Sequence, residues 1–299
     1  MEVPLDAPAA FLGDMFEPGV EPSVGAGYHY SPSQKAVLGG DLPHQAIDYD
    51  LPPNTLVFAP AAGWAVCTFG EARQLLPDGT PYMMSPREAL ERDPSLRHIQ
   101  PPDGADPDEP LPVFFGSYAA QIWHPDNGLY TQFAHFNWVP KSVPYYSFTF
   151  TDTGDRAYSQ VLRAPVESYQ PGSVKWHQSG LAKWVNAGDL IGITGMTGCG
   201  WGRPSIEFAA ICPDGRPDFR LADYPYWTDP HLHHMVLGAR DETPLAESGY
   251  LGDVTVFYDP HARYSDNPAD YPTARSQWHR TPPGAPHHSL WLPQTSTRA

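Results

Sequence analysis

The chain has 299 residues and a formal net charge of −16, with 36 prolines and 26 glycines spread along it. The acidic balance excludes nucleic acid and anionic membrane surfaces as expected partners, because both attract basic surfaces. The frequent proline and glycine argue against long helices and favour short strands joined by turns.

The chain shows no targeting segment that the sequence alone can identify. The N-terminal residues "MEVPLDAPAAFLGDMF" have no basic start and no continuous apolar stretch, and no segment approaches the roughly 20 apolar residues of a membrane helix. Three cysteines without a Cys-x-x-Cys pair speak against a disulfide framework or a thiolate zinc site. We therefore expect a cytoplasmic protein.

A histidine and an aspartate four residues apart, His44 and Asp48, precede the first apolar run. The run itself reads as two strands, "TLVFAP" and "GWAVCTFG", around a turn at residues 60–63. An insertion at residues 71–112 follows, in which "SPREALERD" predicts a short helix with Ser85 as N-cap and Glu88 completing a capping box.

Residues 117–139 predict a β-hairpin, because two β-rich runs flank the turn sequence Asp-Asn-Gly at positions 126–128. Strict alternation along its second strand places Leu129, Thr131, Phe133 and His135 on one face. A second insertion at residues 141–183 contains the candidate strand "YYSFTFTD".

The remaining segments complete an all-β, mainly antiparallel prediction. "VNAGDLIGITGMTG" reads as a strand that ends in a glycine-rich turn, and residues 205–210 follow as a further strand on which Ser205 and Glu207 share a face. We expect one β domain over residues 1–240. Residues 241–299 would form a C-terminal extension that packs on this domain or is partly disordered.

The order of these pieces resembles the M23 metallopeptidases, the LytM or lysostaphin type. The likeness rests on His-x-x-x-Asp, "TLVFAPAAGWAV", "GLYTQFAHF", "VNAGDLIGITGMTG" and a closing strand, about a third of the chain. It implies an antiparallel β-sheet groove and a zinc ion held by a first His and Asp and by the second His of a closing His-x-His. His44 and Asp48 are then metal ligands, and His135 is an acid–base histidine.

The closing motif departs from that family when the glycine turn is aligned. "SIEFAA" falls where the family has its His-x-His, so Ser205 stands in the place of the assisting histidine and Glu207 in the place of the third ligand. A second carboxylate makes the site harder and shifts its preference from zinc toward manganese or iron.

Other interpretations of these residues stay open. In "DPHLHHM", His231 and His233 would share a face of a strand and could supply a replacement ligand. Glu207 could instead pair with Arg203 as a buried ion pair.

Three functions fit the sequence. The first is a diverged metal-dependent enzyme acting on an amide, a short peptide or a small molecule, with His135 as acid–base group. The second is an inactive peptidase homologue, with no metal, that binds a partner in the groove. The third is a non-hydrolytic lyase or cyclase on the same scaffold.

Overall fold

The computed structural model describes residues 9–32, 44–52, 54–73, 80, 83–92, 106–140, 143, 145–150, 162–163, 182–195, 199–201, 231–239 and 254–294. Strands dominate these residues. In chain order they are β1 (Ser23–Ala26), β2 (Ile47–Asp50), β3 (Leu56–Phe58), β4 (Gly63–Arg73), β5 (Met83–Met84), β6 (Leu111–His124), β7 (Leu129–Trp138), β8 (Tyr145–Phe150), β9 (Leu162–Arg163), β10 (Lys183–Val185), β11 (Leu190–Thr194), β12 (Cys199–Trp201), β13 (His231–Ala239) and β14 (Val254–Tyr258).

The strands form one sheet whose main order is β1-β2-β13-β7-β6-β4-β8-β9. Among the described strands, β4 and β8 pair in parallel and the other pairs are antiparallel. The all-β, mainly antiparallel prediction is confirmed. Within the described part of the chain, no helix is long and apolar enough to cross a bilayer.

Two local predictions are confirmed, one for the N-cap of the helix and one for the turn of the hairpin. The helix α1 covers Pro86–Arg92, and the backbone N–H of Glu88 donates to the Ser85 hydroxyl at 3.1 Å, which confirms Ser85 as the N-cap. The reciprocal bond from the Glu88 side chain stays a prediction. In the hairpin of β6 and β7, the N–H groups of Asn127 and Gly128 both donate to His124 O, and Gly128 has φ of +67°. Glycine suits this turn because it has no Cβ to oppose a positive φ.

The strand β13 lies between β2 and β7 and brings distant residues together. Its residue His233 stands directly across from Asp48 on one side and from Ala134 on the other. Directly paired residues in an antiparallel sheet point to the same face. His233 and Asp48 therefore share a face although 184 residues separate them in the chain.

A bulge in β7 changes the face that His135 occupies. The register with β6 runs from Ala120↔Phe133 to Tyr118↔Phe136, so two residues of β7 stand where β6 has one. His135 itself has φ of +65°. The prediction that His135 shares the face of Phe133 was wrong, since the extra residue interrupts the alternation: the ring of Phe133 stacks on His234, while the His135 ring lies beside His231 and His233.

The segment 254–294 packs against the N-terminal residues and the sheet. Leu12 pairs with Trp291, and Trp278 stacks on Tyr49 of β2 with ring centroids 5.0 Å apart. Arg275 is buried, with its guanidinium paired to Asp14 and donating to the carbonyls of residues 16 and 17 at 3.2 and 3.1 Å. These contacts close the core on the side of β2 and β13.

Candidate metal centre

Three side chains on β2, β13 and the loop before β2 bring their donor atoms together. Asp48 Oδ1 lies 3.0 Å from His44 Nε2 and 2.8 Å from His233 Nδ1, and the two nitrogens are 3.3 Å apart. In the described part of the chain, these residues form a group of His, Cys, Asp or Glu whose ligand atoms all lie within 4.8 Å of one another.

The backbone fixes which nitrogen of His44 faces this group. His44 Nδ1 lies 2.6 Å from Gly27 O, and because a carbonyl oxygen can only accept, Nδ1 carries the proton. In the neutral ring Nε2 then bears a lone pair that points at the Asp48 carboxylate. Two acceptors facing each other at 3.0 Å require a cation or a proton between them.

The local chain conformation supports this orientation of His44. The next residue, Gln45, has φ of +53°, and its N–H donates to Tyr28 O at 2.9 Å, which turns the chain into β2. Tyr30 stacks on the imidazole of His44 with centroids 4.1 Å apart. The ring of His44 is therefore held on its edge by a carbonyl and on its face by an aromatic ring.

Electrostatics keeps Asp48 charged and His233 neutral. Burial of Asp48 raises the pKa of its carboxyl, but its three histidine neighbours outweigh burial and hold that pKa well below the ordinary value. Burial lowers the pKa of His233, although the nearby carboxylate opposes this shift. An anionic carboxylate beside a neutral imidazole is the protonation state that metal ligation requires.

Two further histidines flank the group. His231 Nε2 lies 3.9 Å from the second carboxylate oxygen of Asp48, and the His231 side chain is 13% exposed. The ring centroid of His135 lies 4.3 Å from that of His231 and 5.6 Å from that of His233. Two further imidazoles therefore lie next to the donor triangle.

The backbone of His135 is held in an unusual conformation. A left-handed φ costs a non-glycine residue roughly 1–2 kcal/mol, and histidine tolerates it better than most residues. The carbonyl of His135 accepts from the N–H of Gly195 at 2.9 Å, which ties the bulge to the end of β11. Such local strain is typical of residues that a fold positions for function.

The predicted site residues divide into two groups. His44 and Asp48 lie side by side, and the His135 ring lies 5.6 Å from that of His233 between centroids, whereas Ser205 and Glu207 lie outside the described residues. The roles assigned to these residues from the sequence stay predictions. The structure adds His233 to His44 and Asp48. The sequence offered His233 only as an alternative ligand. The signal for it was the His-Leu-His alternation at the start of an apolar strand.

The donor set fits a zinc ion. Zinc binds imidazole nitrogen and carboxylate oxygen at about 2.0–2.2 Å, which places tetrahedral ligand atoms about 3.3–3.6 Å apart. The separation of 3.3 Å between the two histidine nitrogens lies in that range, and the separations of 2.8 and 3.0 Å to Asp48 Oδ1 are shorter than it. Three protein ligands also leave a fourth position open, as catalytic zinc sites do.

Comparison with protein-family models and with curated proteins finds no match. Among solved structures, the chain is similar to the antimicrobial peptidase lysostaphin from Staphylococcus simulans at 14% identity and a TM-score of 0.31, over 88% of this chain and 56% of that one. It is also similar to the isolated catalytic domain of lysostaphin from the same organism, at 13% identity and a TM-score of 0.28, over 79% of this chain and 89% of that domain.

A zinc-containing peptidase from Vibrio cholerae is similar at 12% identity and a TM-score of 0.29, over 77% of this chain and 36% of that one. The chain therefore spans less than two thirds of the length of this peptidase and of the longer lysostaphin structure.

Proposed function

We propose that this protein is a metal-dependent hydrolase of the peptidase type, with His44, Asp48 and His233 as the ligands of one zinc ion. The observation that carries this proposal is the donor triangle together with the hydrogen bond from His44 Nδ1 to Gly27 O. In the neutral form of His44, that bond leaves a lone pair facing a carboxylate, an arrangement that a bound cation stabilises.

The third ligand is the point on which sequence and structure offer different candidates. With His233 the set has two imidazoles and one carboxylate, a combination typical of catalytic zinc. With Glu207 it would have two carboxylates and favour manganese or iron. The contacts of His233 with both other ligands support the first set.

The two histidines next to the triangle, His135 and His231, have a proposed role that follows from their position. With zinc bound, His44, Asp48 and His233 would hold an ion that could supply Lewis acidity toward a substrate carbonyl or a water. His135 and His231 lie beside the triangle without belonging to it, so they can accept a proton from the attacking water and return it to the leaving amine. The order His231-Leu-His233 also fits the closing His-x-His that the M23 resemblance implies.

The proposed substrate class is consistent with the exposure of the site and with the acidic chain. We propose a short peptide or another small amide as the substrate, since the side chains of His233 and His231 are 17% and 13% exposed and so reach solvent. The net charge of −16 disfavours polyanionic substrates.

Elemental analysis of untagged protein tests the ligand set. We expect about one zinc per chain in the wild type, and loss of that zinc in both His44→Ala and His233→Ala. Glu207→Ala should retain it. Loss of zinc in Glu207→Ala with retention in His233→Ala would contradict the proposed third ligand, and a metal-free wild type would contradict the site as a whole.

His135→Ala separates ligation from chemistry. This variant should keep its zinc but lose about 10²–10⁴-fold in the rate of amide cleavage, because an acid–base group is removed and no ligand is. Incubation with a mixture of short peptides, followed by mass spectrometry, detects cleavage as the gain of one water. Products that form without this gain would indicate elimination, and absence of turnover with zinc bound would indicate a binding protein.

A further inference from the structure

The peptide group between Gly27 and Tyr28 is hydrogen-bonded at both ends. Its carbonyl accepts from His44 Nδ1 at 2.6 Å, and its N–H donates to the hydroxyl of Tyr271 at 3.0 Å. One rigid amide plane therefore connects a proposed metal ligand to a residue of the C-terminal segment.

Tyr271 is itself fixed by a buried carboxylate. Its hydroxyl lies 3.0 Å from Asp259 Oδ2 and 3.1 Å from Ser265 O. Burial raises the pKa of Tyr271, so the hydroxyl keeps its proton and can donate it. Asp259 is fully buried and is held in turn by three backbone N–H groups, those of His261, Arg263 and Tyr264.

The C-terminal segment also makes close steric contacts with the Gly27–Tyr28 peptide. A Cβ on Gly27 would lie 2.3 Å from Ser265 O and 2.9 Å from the Tyr271 ring, so only glycine fits this approach. The Tyr28 hydroxyl donates to Phe257 O at 3.1 Å. The position of the Gly27–Tyr28 peptide is therefore set from the C-terminal segment on both sides.

We propose that Tyr271, anchored by Asp259, is a positioning residue for the metal ligand His44 and acts through the Gly27–Tyr28 peptide. Metal-bound histidines commonly donate their second N–H to a carboxylate or a carbonyl, which fixes the tautomer and raises the basicity of the ligating nitrogen. Here the Asp259 carboxylate is connected to His44 through the Tyr271 hydroxyl and the Gly27–Tyr28 peptide. Each hydrogen bond in such a chain polarises the next. The inference rests on the proposed function, because its consequence is a change in the strength of metal binding by His44.

The test compares Tyr271→Phe with Tyr264→Phe in the full chain. Both variants delete one hydroxyl of the C-terminal segment, and the Tyr264 hydroxyl bonds His287 Nε2 at 2.8 Å instead of the Gly27–Tyr28 peptide. Zinc affinity is measured by competition with a chelator under conditions where urea titration shows both variants folded. We expect Tyr271→Phe to bind zinc about tenfold more weakly and Tyr264→Phe to match the wild type. Equal affinities in the two variants would overturn the inference while leaving the metal site intact.

A second measurement tests the relay, which is the chain of hydrogen bonds from Asp259 through Tyr271 to His44, in metal-free protein. The imidazole ¹⁵N spectrum of metal-free protein identifies the protonated Nδ1 of His44, with His44→Gln used for assignment. Its Nδ1–H signal should shift in Tyr271→Phe and stay in place in Tyr264→Phe. An unchanged signal in Tyr271→Phe overturns the relay, whereas a wild type that fails to bind zinc overturns the proposed function, so the two failures are distinguishable.

Discussion

The buried histidine His124 should make the protein lose stability in acid, and His124→Gln should remove part of that loss. Its Nδ1 donates to Ala62 O at 2.9 Å, so its Nε2 accepts from the Thr131 hydroxyl at 2.9 Å. Burial lowers the pKa of His124 to about 4 from the ordinary 6.5, and the bond to Ala62 only partly opposes this. The neutral ring fills both hydrogen bonds, and a proton on Nε2 would place a buried charge there and require the Thr131 hydroxyl to turn and accept.

The sign follows from proton linkage. A folded state with the lower pKa binds fewer protons than the unfolded chain, so its stability is fully present above pH 6.5 and falls as the pH drops toward 4. One group with this shift removes about 2 kcal/mol of unfolding free energy between about pH 7 and about pH 4.5. Glutamine keeps a donor and an acceptor but cannot titrate.

The assay is urea unfolding at several pH values with a chelator present, so that metal release does not contribute. Other groups also titrate, and the informative quantity is therefore the free-energy difference between wild type and His124→Gln at each pH. That difference should shrink by about 2 kcal/mol from about pH 7 to about pH 4.5. The variant His288→Gln, at an exposed position, controls for the substitution. A difference that stays constant with pH would refute the reasoning.

Two further substitutions test packing by urea unfolding. Arg275→Met should destabilise the protein by about 3 kcal/mol, because buried carbonyls lose their donor and an acid loses its partner, whereas Arg280→Met at an exposed position should have little effect. Gly192→Ala should cost about 1–3 kcal/mol, since the new Cβ would lie 2.4 Å from the ring of Phe136. Gly238→Ala, whose new Cβ would meet neighbours no closer than 3.4 Å, is the matched control, and equal losses in the two glycine variants would contradict the steric argument.

Local sequence patterns predicted much of the fold because they act over a few residues. The Asp-Asn-Gly turn fixed the hairpin of β6 and β7, and the Ser85 cap fixed the start of α1. His44 and Asp48 could be identified from the sequence for the same reason. His44 and Asp48 are neighbours in sequence, so a short turn into one strand suffices to bring them together.

The proposed third ligand, His233, could not be ranked above Glu207 from the sequence because its position depends on strand pairing. His233 reaches Asp48 only when β13 inserts between β2 and β7, and no local pattern specifies that order. The alternation in "HLHHMVL" identifies a strand and a face but not its neighbours. Alignment to the glycine turn selected Glu207, which is closer in sequence to that turn.

The face of His135 shows a second limit of pattern reading. Period-2 alternation holds only while each residue of a strand opposes one residue of its partner. The bulge at residues 134–135 breaks this count and turns His135 toward His231 and His233. Nothing in "LYTQFAHFNW" marks the extra residue, since no glycine occupies it. Histidine at a positive φ is the feature that the sequence could not reveal.

The C-terminal segment gives the site a property that its own strands cannot provide. His44 lies in a loop, and loop positions are held less firmly than positions within a sheet. Its orientation is instead fixed by a carbonyl whose peptide is bonded to Tyr271, and Tyr271 is bonded to the buried Asp259. We therefore expect the packing of residues 254–294 on the sheet to be coupled to the preorganisation of His44, the proposed first ligand. Any zinc bound by this triangle stabilises the docked segment by mass action, because the ion binds only the folded arrangement.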